Sequence, residues 1–164
     1  MPMNKIKITR FFFGYLIIMF FLNACNTGVV IDKFKKIENG TWRSSDIVRF
    51  SVPVEDTLQM YDFYINIRNT NDYAFSNLYV FMKTFYPDGK ISADTLEFFL
   101  ADPQGKWLGS GSGKLIDNRI LFSKNIRFPL AGIYSFEFEQ AMREEELKGI
   151  ENFGIRIEKS QKEN

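Results

Sequence analysis

Carboxylates are the side chains best suited to acid–base chemistry in this chain, because the sequence contains no histidine. Without imidazole the chain lacks the commonest general base and the usual ligand of zinc or copper. Asp94, Glu97 and Asp102 lie close together, and paired carboxylates can hydrolyse glycosidic bonds. However, Asp102 precedes Pro103 and Gly105, as a turn residue does, and Glu97 alternates with apolar neighbours, as an outward strand residue does. We therefore expect that the protein is not an enzyme and needs no cofactor or metal.

The run GSGSG, with Gly109, Gly111 and Gly113, is a second candidate because glycine-rich loops can cradle phosphates. Its spacing fits neither nucleotide-binding fingerprint, and no predicted helix follows whose N-terminus would receive a phosphate. We interpret the run as a bend beside Trp107, where the backbone passes close to a neighbour or adopts positive φ.

Aromatic and arginine side chains near predicted loops suit binding better than catalysis. Exposed rings beside polar groups bind sugars or protein partners. We expect Trp42 to plug the end of a core, whereas Tyr73 and Trp107 are candidates for partner contact. Arg68 and Arg143 are further candidates, although an arginine next to a strand end more often pairs with a local carboxylate.

The N-terminal segment has the parts of a secretory signal. Three basic residues precede an apolar run over residues 11–22. As a helix this run is about 18 Å long, whereas a membrane span needs about 20 residues, so it predicts a cleaved signal and not a permanent span.

The residues after the apolar run resemble the lipobox of bacterial lipoproteins, namely Leu22, Asn23, Ala24 and Cys25. Cys25 is the only cysteine of the chain. We predict a signal peptide over residues 1–24 and a mature chain that begins at Cys25, where a diacylglycerol thioether and palmitate-type acyl chains anchor it to a membrane. An ordinary signal peptide or a buried core cysteine is the alternative.

The mature chain has the size and charge of one slightly acidic domain. Removing the signal takes away Lys5, Lys7 and Arg10, which leaves acidic residues in a small excess. Nothing basic remains that would suggest binding to nucleic acid. Since lipidation uses the only cysteine, burial must stabilise the fold without a disulfide.

Alternation of apolar and polar residues predicts seven or eight strands. The seven clear ones are residues 48–52, 61–67, 78–85, 95–100, 119–123, 133–139 and 154–158. Turn residues separate them, and only residues 140–148 look helical. The expected fold is an all-β antiparallel sandwich, of jelly-roll or immunoglobulin-like type, with one short helical segment. We assign residues 25–40 to a lipid-anchored tether and 41–164 to the sandwich, although residues 29–34 could instead dock as an extra strand.

Five short motifs in order resemble the GldH family of gliding-motility lipoproteins over the whole mature sequence. They are Trp42 followed by IVRFSVPV, IRNTNDYAFSNL, Asp94 with Thr95, LADPQGKWLGSGSG, and QAMREEELKGIENFGIRIEK. The resemblance implies a cell-envelope lipoprotein that works with the gliding and type IX protein secretion machinery. It implies no catalytic residue and transfers no binding site residue by residue.

The resemblance also bears on the location of the protein. In that bacterial group, lipoproteins exported to the surface carry an acidic signal after the cysteine, whereas Asn26, Thr27 and Gly28 follow Cys25 here. We therefore expect the periplasmic face of the outer membrane.

Three functions remain open at this stage. The first is a non-enzymatic accessory or assembly protein that binds envelope partners. The second is a glycan-binding module, which would present two or more coplanar rings in a shallow groove. The third is an envelope hydrolase, which would place two carboxylates across a cleft.

Overall fold

The computed structural model describes residues 28–111 and 113–161, so the predicted signal peptide and Cys25 lie outside the described residues. The described chain forms ten strands and one 3-10 turn, Glu38–Gly40. The strands are β1 (Val29–Lys36), β2 (Thr41–Arg43), β3 (Val48–Val54), β4 (Tyr61–Thr70), β5 (Asn77–Phe85), β6 (Ile91–Phe99), β7 (Leu115–Ile126), β8 (Gly132–Gln140), β9 (Glu146–Lys148) and β10 (Ile150–Lys159). None of the described residues forms a helix long and apolar enough to cross a membrane.

Two four-stranded antiparallel sheets build the domain. Sheet I has the order β1-β10-β4-β7, sheet II has the order β3-β8-β5-β6, and β2 pairs with β9 between them. The pairing is nested, because the first strand pairs with the last and β3 pairs with β8. This winding is that of a jelly roll, whereas an immunoglobulin-like sandwich pairs its first two strands. The sandwich prediction is confirmed, and the strand order selects the jelly roll.

The alternating pattern places one face of each central strand in the core. Tyr134, Phe136 and Phe138 of β8 are all buried, as their spacing predicts. The ring of Phe136 lies 5.2 Å from that of Phe63 on sheet I, measured between ring centres. The ring of Phe138 lies 4.9 Å from that of Phe153, so aromatic contacts join the two sheets. All seven clearly predicted strands are present.

The predicted helix at residues 140–148 is wrong. Gln140 ends β8, and its side-chain amide donates to the Glu144 carbonyl at 2.7 Å while accepting from the Met142 backbone N–H at 2.9 Å. Leu147 is then buried opposite Trp42 in the β2–β9 pair. A nine-residue helix is marginal on its own, so burial of this leucine overrides the helix-forming residues around it.

The assignment of residues 25–40 to a tether is also wrong for the part that the structure describes. Residues 29–36 form β1, which pairs along its length with β10. Ile31 and Ile37 are buried in the core, which holds this segment against the sheet. The alternative of an extra docked strand is therefore correct, and the folded domain includes β1.

Truncation of Phe136 should test the aromatic junction of the two sheets. Phe136 is 3% exposed, so Phe136→Ala should lower the free energy of unfolding by about 3–5 kcal/mol. Phe81→Ala is the control, because Phe81 is 47% exposed on the outer face of sheet II and should cost about 0.5 kcal/mol or less. Urea denaturation of a chain that lacks residues 1–25 measures both, and equal losses would contradict this packing.

Candidate partner-binding groove

The loops of the sandwich gather at two opposite ends. We call one end the base, which holds loops 55–60, 86–90 and 127–131 together with Gly28, where the described chain begins. We call the other end the top, which holds loops 71–76, 100–111 and 141–145. Tyr73, Trp107 and Arg143 lie in the three top loops, so the fold brings these predicted contact residues to one end.

Tyr73 and Trp107 serve mainly to pack the top of the domain. Tyr73 is 4% exposed, and its hydroxyl donates to the Asn77 carbonyl at 2.8 Å, so its ring is not offered to a partner. Burial raises the pKa of Tyr73 well above its ordinary value. Trp107 is half-buried, with its ring centre 6.5 Å from that of Tyr73. Trp42 is fully buried, as predicted for a core plug.

The two arginines predicted as contacts lie in different surroundings. Arg68 is partly exposed near the end of β4, and its Nε donates to Oδ1 of Asp117 at 2.5 Å. This hydrogen bond raises the pKa of Arg68, so its charge is already partnered. Arg143 is exposed in loop 141–145 and has no ion pair among the described residues.

A groove of about 600 Å³ lies on the outer face of sheet I, toward the top. One wall is Phe34 of β1, and the other is Leu108 with the two residues that follow it. The floor consists of side chains from β4 and β7, including Asn66, Arg68, Asp117 and Arg119. Arg68 is therefore the one predicted contact residue that lines this groove.

The glycine run builds the second wall of the groove. A Cβ on Gly109 would lie 2.5 Å from Oδ1 of Asn118 and 2.6 Å from the Asp117 carbonyl, so only glycine lets the loop lie against β7. Ser110 then exchanges two backbone hydrogen bonds with Asp117, at 3.0 and 2.7 Å. The interpretation of the run as a close-packed bend, and not a phosphate loop, matches this geometry.

Hydrogen bonds hold the polar floor in place. Asn66 is 3% exposed although it lies on the outer face, and its amide donates to Asp32 at 3.4 Å and accepts from Arg119 Nε at 3.3 Å. Asp32 in turn forms an ion pair with Arg156 at 2.6 Å, and this contact raises the pKa of Arg156. These contacts hold the side chains of the groove floor in place in the protein without a bound partner.

Arg119 is the group on the groove with unused binding capacity among the described residues, whereas Asn118 is buried. Arg119 is exposed, and its one hydrogen-bond partner among the described residues is the neutral Asn66. Asn118 Oδ1 is buried and receives no hydrogen bond from another described residue, while the Asn118 amide N–H group donates to Ile67 O and Asn69 Oδ1. A guanidinium without a carboxylate favours an acidic ligand.

The carboxylates considered for catalysis do not converge. Asp94 and Glu97 are exposed on β6, and Asp102 Oδ1 accepts from the backbone N–H groups of Gln104 and Lys106 at 3.0 and 2.8 Å. Asp102 is therefore a turn residue, as expected. In the part of the chain that the structure describes, no group of acidic or cysteine side chains is arranged to hold a metal ion.

Sequence patterns could have found part of this groove. Asn66 and Arg68 occupy alternate, outward positions of a strand that the pattern predicted. Phe34 was missed because residues 25–40 were assigned to a tether, and Arg119 was missed because nothing local distinguishes it from other surface arginines. The pairing of Asn66 with Arg119 joins residues that lie far apart in the sequence.

Comparison with known proteins gives a consistent match. The profile of the family described as GldH lipoprotein matches residues 29–157. A protein of Christiangramia forsetii named gliding motility lipoprotein GldH homolog is 37% identical over 157 residues, covering 92% of this chain and 94% of its own. The gliding motility lipoprotein GldH of Flavobacterium johnsoniae is 31% identical over 144 residues, covering 84% of this chain and 89% of its own.

Among solved structures, a chain of infectious bursal disease virus Gt strain covers 79% of this chain and 42% of its own at 10% identity, but its TM-score of 0.16 supports no argument. The family match runs from the first strand of the domain to the last, β1 to β10. With two relatives above 30% identity over most of the chain, it establishes that the protein belongs to the GldH lipoprotein family.

Proposed function

We propose that this lipoprotein is a non-enzymatic accessory component of the gliding machinery and of the type IX protein secretion machinery that gliding depends on. The names of the two relatives support the link to gliding. The link to secretion comes from the family resemblance. In this proposal a lipid on Cys25 holds the domain at the periplasmic face of the outer membrane, and the domain presents a binding surface to envelope proteins.

The observation that carries the binding role is the preordered groove on sheet I. Its floor is fixed by contacts among Asp32, Asn66 and Arg119, so a partner would lose little conformational entropy of the groove on binding. We propose that the groove takes an acidic segment of a partner protein, with a carboxylate on Arg119. A glycan is the less favoured ligand, because Phe34 is the one aromatic ring among the residues that line the groove.

Deletion of the gene should impair export of type IX cargo, and gliding as well where the organism glides. General periplasmic secretion should remain normal, because the proposed role is specific to one machinery. The measurement is the amount of cargo in the medium against the amount retained in cells. Normal export combined with poor growth on a polysaccharide that requires no secreted enzyme would favour the glycan-binding alternative.

Replacement of the anchor residue should separate anchoring from folding. Cys25→Ala should abolish incorporation of radiolabelled palmitate, because Cys25 is the only cysteine of the chain. The variant should also restore export poorly in the deletion strain, since a freely diffusing domain loses the high effective concentration that a tether provides. Equal palmitate labelling of both proteins would disprove the anchor.

A matched pair of arginine variants should test the groove. Arg119→Gln removes the charge that lacks a carboxylate partner, and it should reduce cargo export without lowering stability by more than about 0.5 kcal/mol. Arg49→Gln is the control, because Arg49 is exposed on sheet II and pairs with Glu137 at 2.6 Å, away from the groove. Export is measured in the complemented deletion strain at equal protein level. Equal export by the two variants would count against the groove as the contact surface.

A further inference from the structure

The base of the domain carries exposed apolar side chains that none of the described elements covers. Leu58, at the tip of loop 55–60, is 81% exposed, the highest value among the exposed large apolar residues that the structure describes. Met60 in the same loop and Val30 at the start of β1 are each 39% exposed. Leu58 and Met60 line one surface cavity, and adjoining exposed apolar groups mark a candidate interaction surface.

The loop that carries Leu58 is held by its own hydrogen bonds. Asp56 Oδ1 accepts from the backbone N–H groups of Leu58 at 2.8 Å and Gln59 at 3.1 Å. The Tyr61 hydroxyl donates to the Asp56 carbonyl at 2.9 Å, which fixes the other side of the turn. Leu58 therefore points outward because the fold holds it there.

The start of the described chain lies beside this loop. Lys159 N–H donates to the Gly28 carbonyl at 2.8 Å, and the next residue, Ser160, donates to the Met60 carbonyl at 2.9 Å. Gly28 is three residues after Cys25. Whatever its conformation, a link of three residues reaches at most about 11 Å between the Cα atoms of Cys25 and Gly28. A lipid on Cys25 would thus keep Gly28, and the base around it, close to the membrane surface.

A cation accompanies the apolar side chains at the base. Arg127 is exposed and lines a cavity of about 330 Å³ together with Leu58 and Met60. It forms no ion pair with another described residue. A guanidinium that has no carboxylate partner among the described residues and lies beside apolar side chains fits a membrane interface, where lipid phosphates lie next to acyl chains.

We propose that the base of this domain rests on the lipid bilayer that holds its anchor, with Leu58 and Met60 in the boundary between headgroups and acyl chains and Arg127 on lipid phosphate. This inference rests on the lipid anchor at Cys25 proposed above. It sets the orientation of the whole domain, because the groove lies toward the top. The groove then lies toward the end of the domain that is farther from the membrane, where proteins that approach through the periplasm can reach it.

Site-specific fluorescent labels can test this orientation in the full lipidated protein. Lipidation converts the Cys25 thiol to a thioether, so an introduced cysteine is the single thiol available to a maleimide dye. Leu58→Cys places an environment-sensitive dye at the base, and Leu108→Cys places the same dye on the groove wall. Both leucines are exposed, at 81% and 61%, so neither change should unfold the domain. Circular dichroism of both variants confirms the fold.

Each labelled protein is reconstituted into phosphatidylethanolamine–phosphatidylglycerol vesicles that contain a doxyl-labelled lipid quencher. The dye at position 58 should show blue-shifted emission and be quenched several-fold more strongly than the dye at position 108. Equal, weak quenching of two proteins that both float with the vesicles would overturn the orientation and leave the anchor standing. Failure of both proteins to float with the vesicles would overturn the anchor and the orientation together.

Discussion

The contact between the two sheets is the constraint on which the rest of this structure depends. The chain has a single cysteine, so no disulfide within it can join the sheets, and burial of aromatic rings must do so. Phe63 on sheet I meets Phe136 on sheet II, and Phe153 packs between Trp42 and Phe138 at 5.0 and 4.9 Å. These contacts account for much of the aromatic content of the chain.

Nested pairing follows from this core and determines where the surfaces lie. Because β1 must pair with β10, the start of the domain returns to the base beside the end of the domain. The same pairing lays Phe34 over Gly154, where a Cβ would lie 2.8 Å from the ring. Phe34 thereby becomes a wall of the groove. One strand pair thus positions both the proposed membrane contact and part of the proposed binding surface.

Local patterns in the sequence predicted the parts of the fold that alternation controls. Strands such as β3 and β8 have a buried residue at every second position, and these were found. Residues 140–148 were assigned wrongly because their helix-forming residues carry no sign that Leu147 pairs across from Trp42. Contacts between distant segments decide such cases, and one sequence does not show them.

The same limit applies to the candidate site. Arg68 was one of the candidate contact residues, but the groove is also lined by Phe34 from β1 and Arg119 from β7. Tyr73 was chosen as an aromatic residue in a loop, yet its ring is buried beneath that loop. Residue type indicates which side chains can bind, whereas burial and strand order decide which of them reach the surface.

The two ends of the domain have different proposed roles, namely membrane contact at the base and partner binding in the groove toward the top. An anchored domain gains effective concentration near its membrane, but this helps binding only when the binding surface faces the partner. Free rotation about a long tether would present the groove in all directions, whereas the proposed anchor at Cys25, only three residues before Gly28, would keep the base near the bilayer. The ordered floor of the groove also limits the conformational entropy lost on binding, since the hydrogen bond between Asn66 and Arg119 already holds both side chains in position. Both features reduce the entropy lost on binding, which suits a protein whose proposed role is to hold a partner and not to transform it.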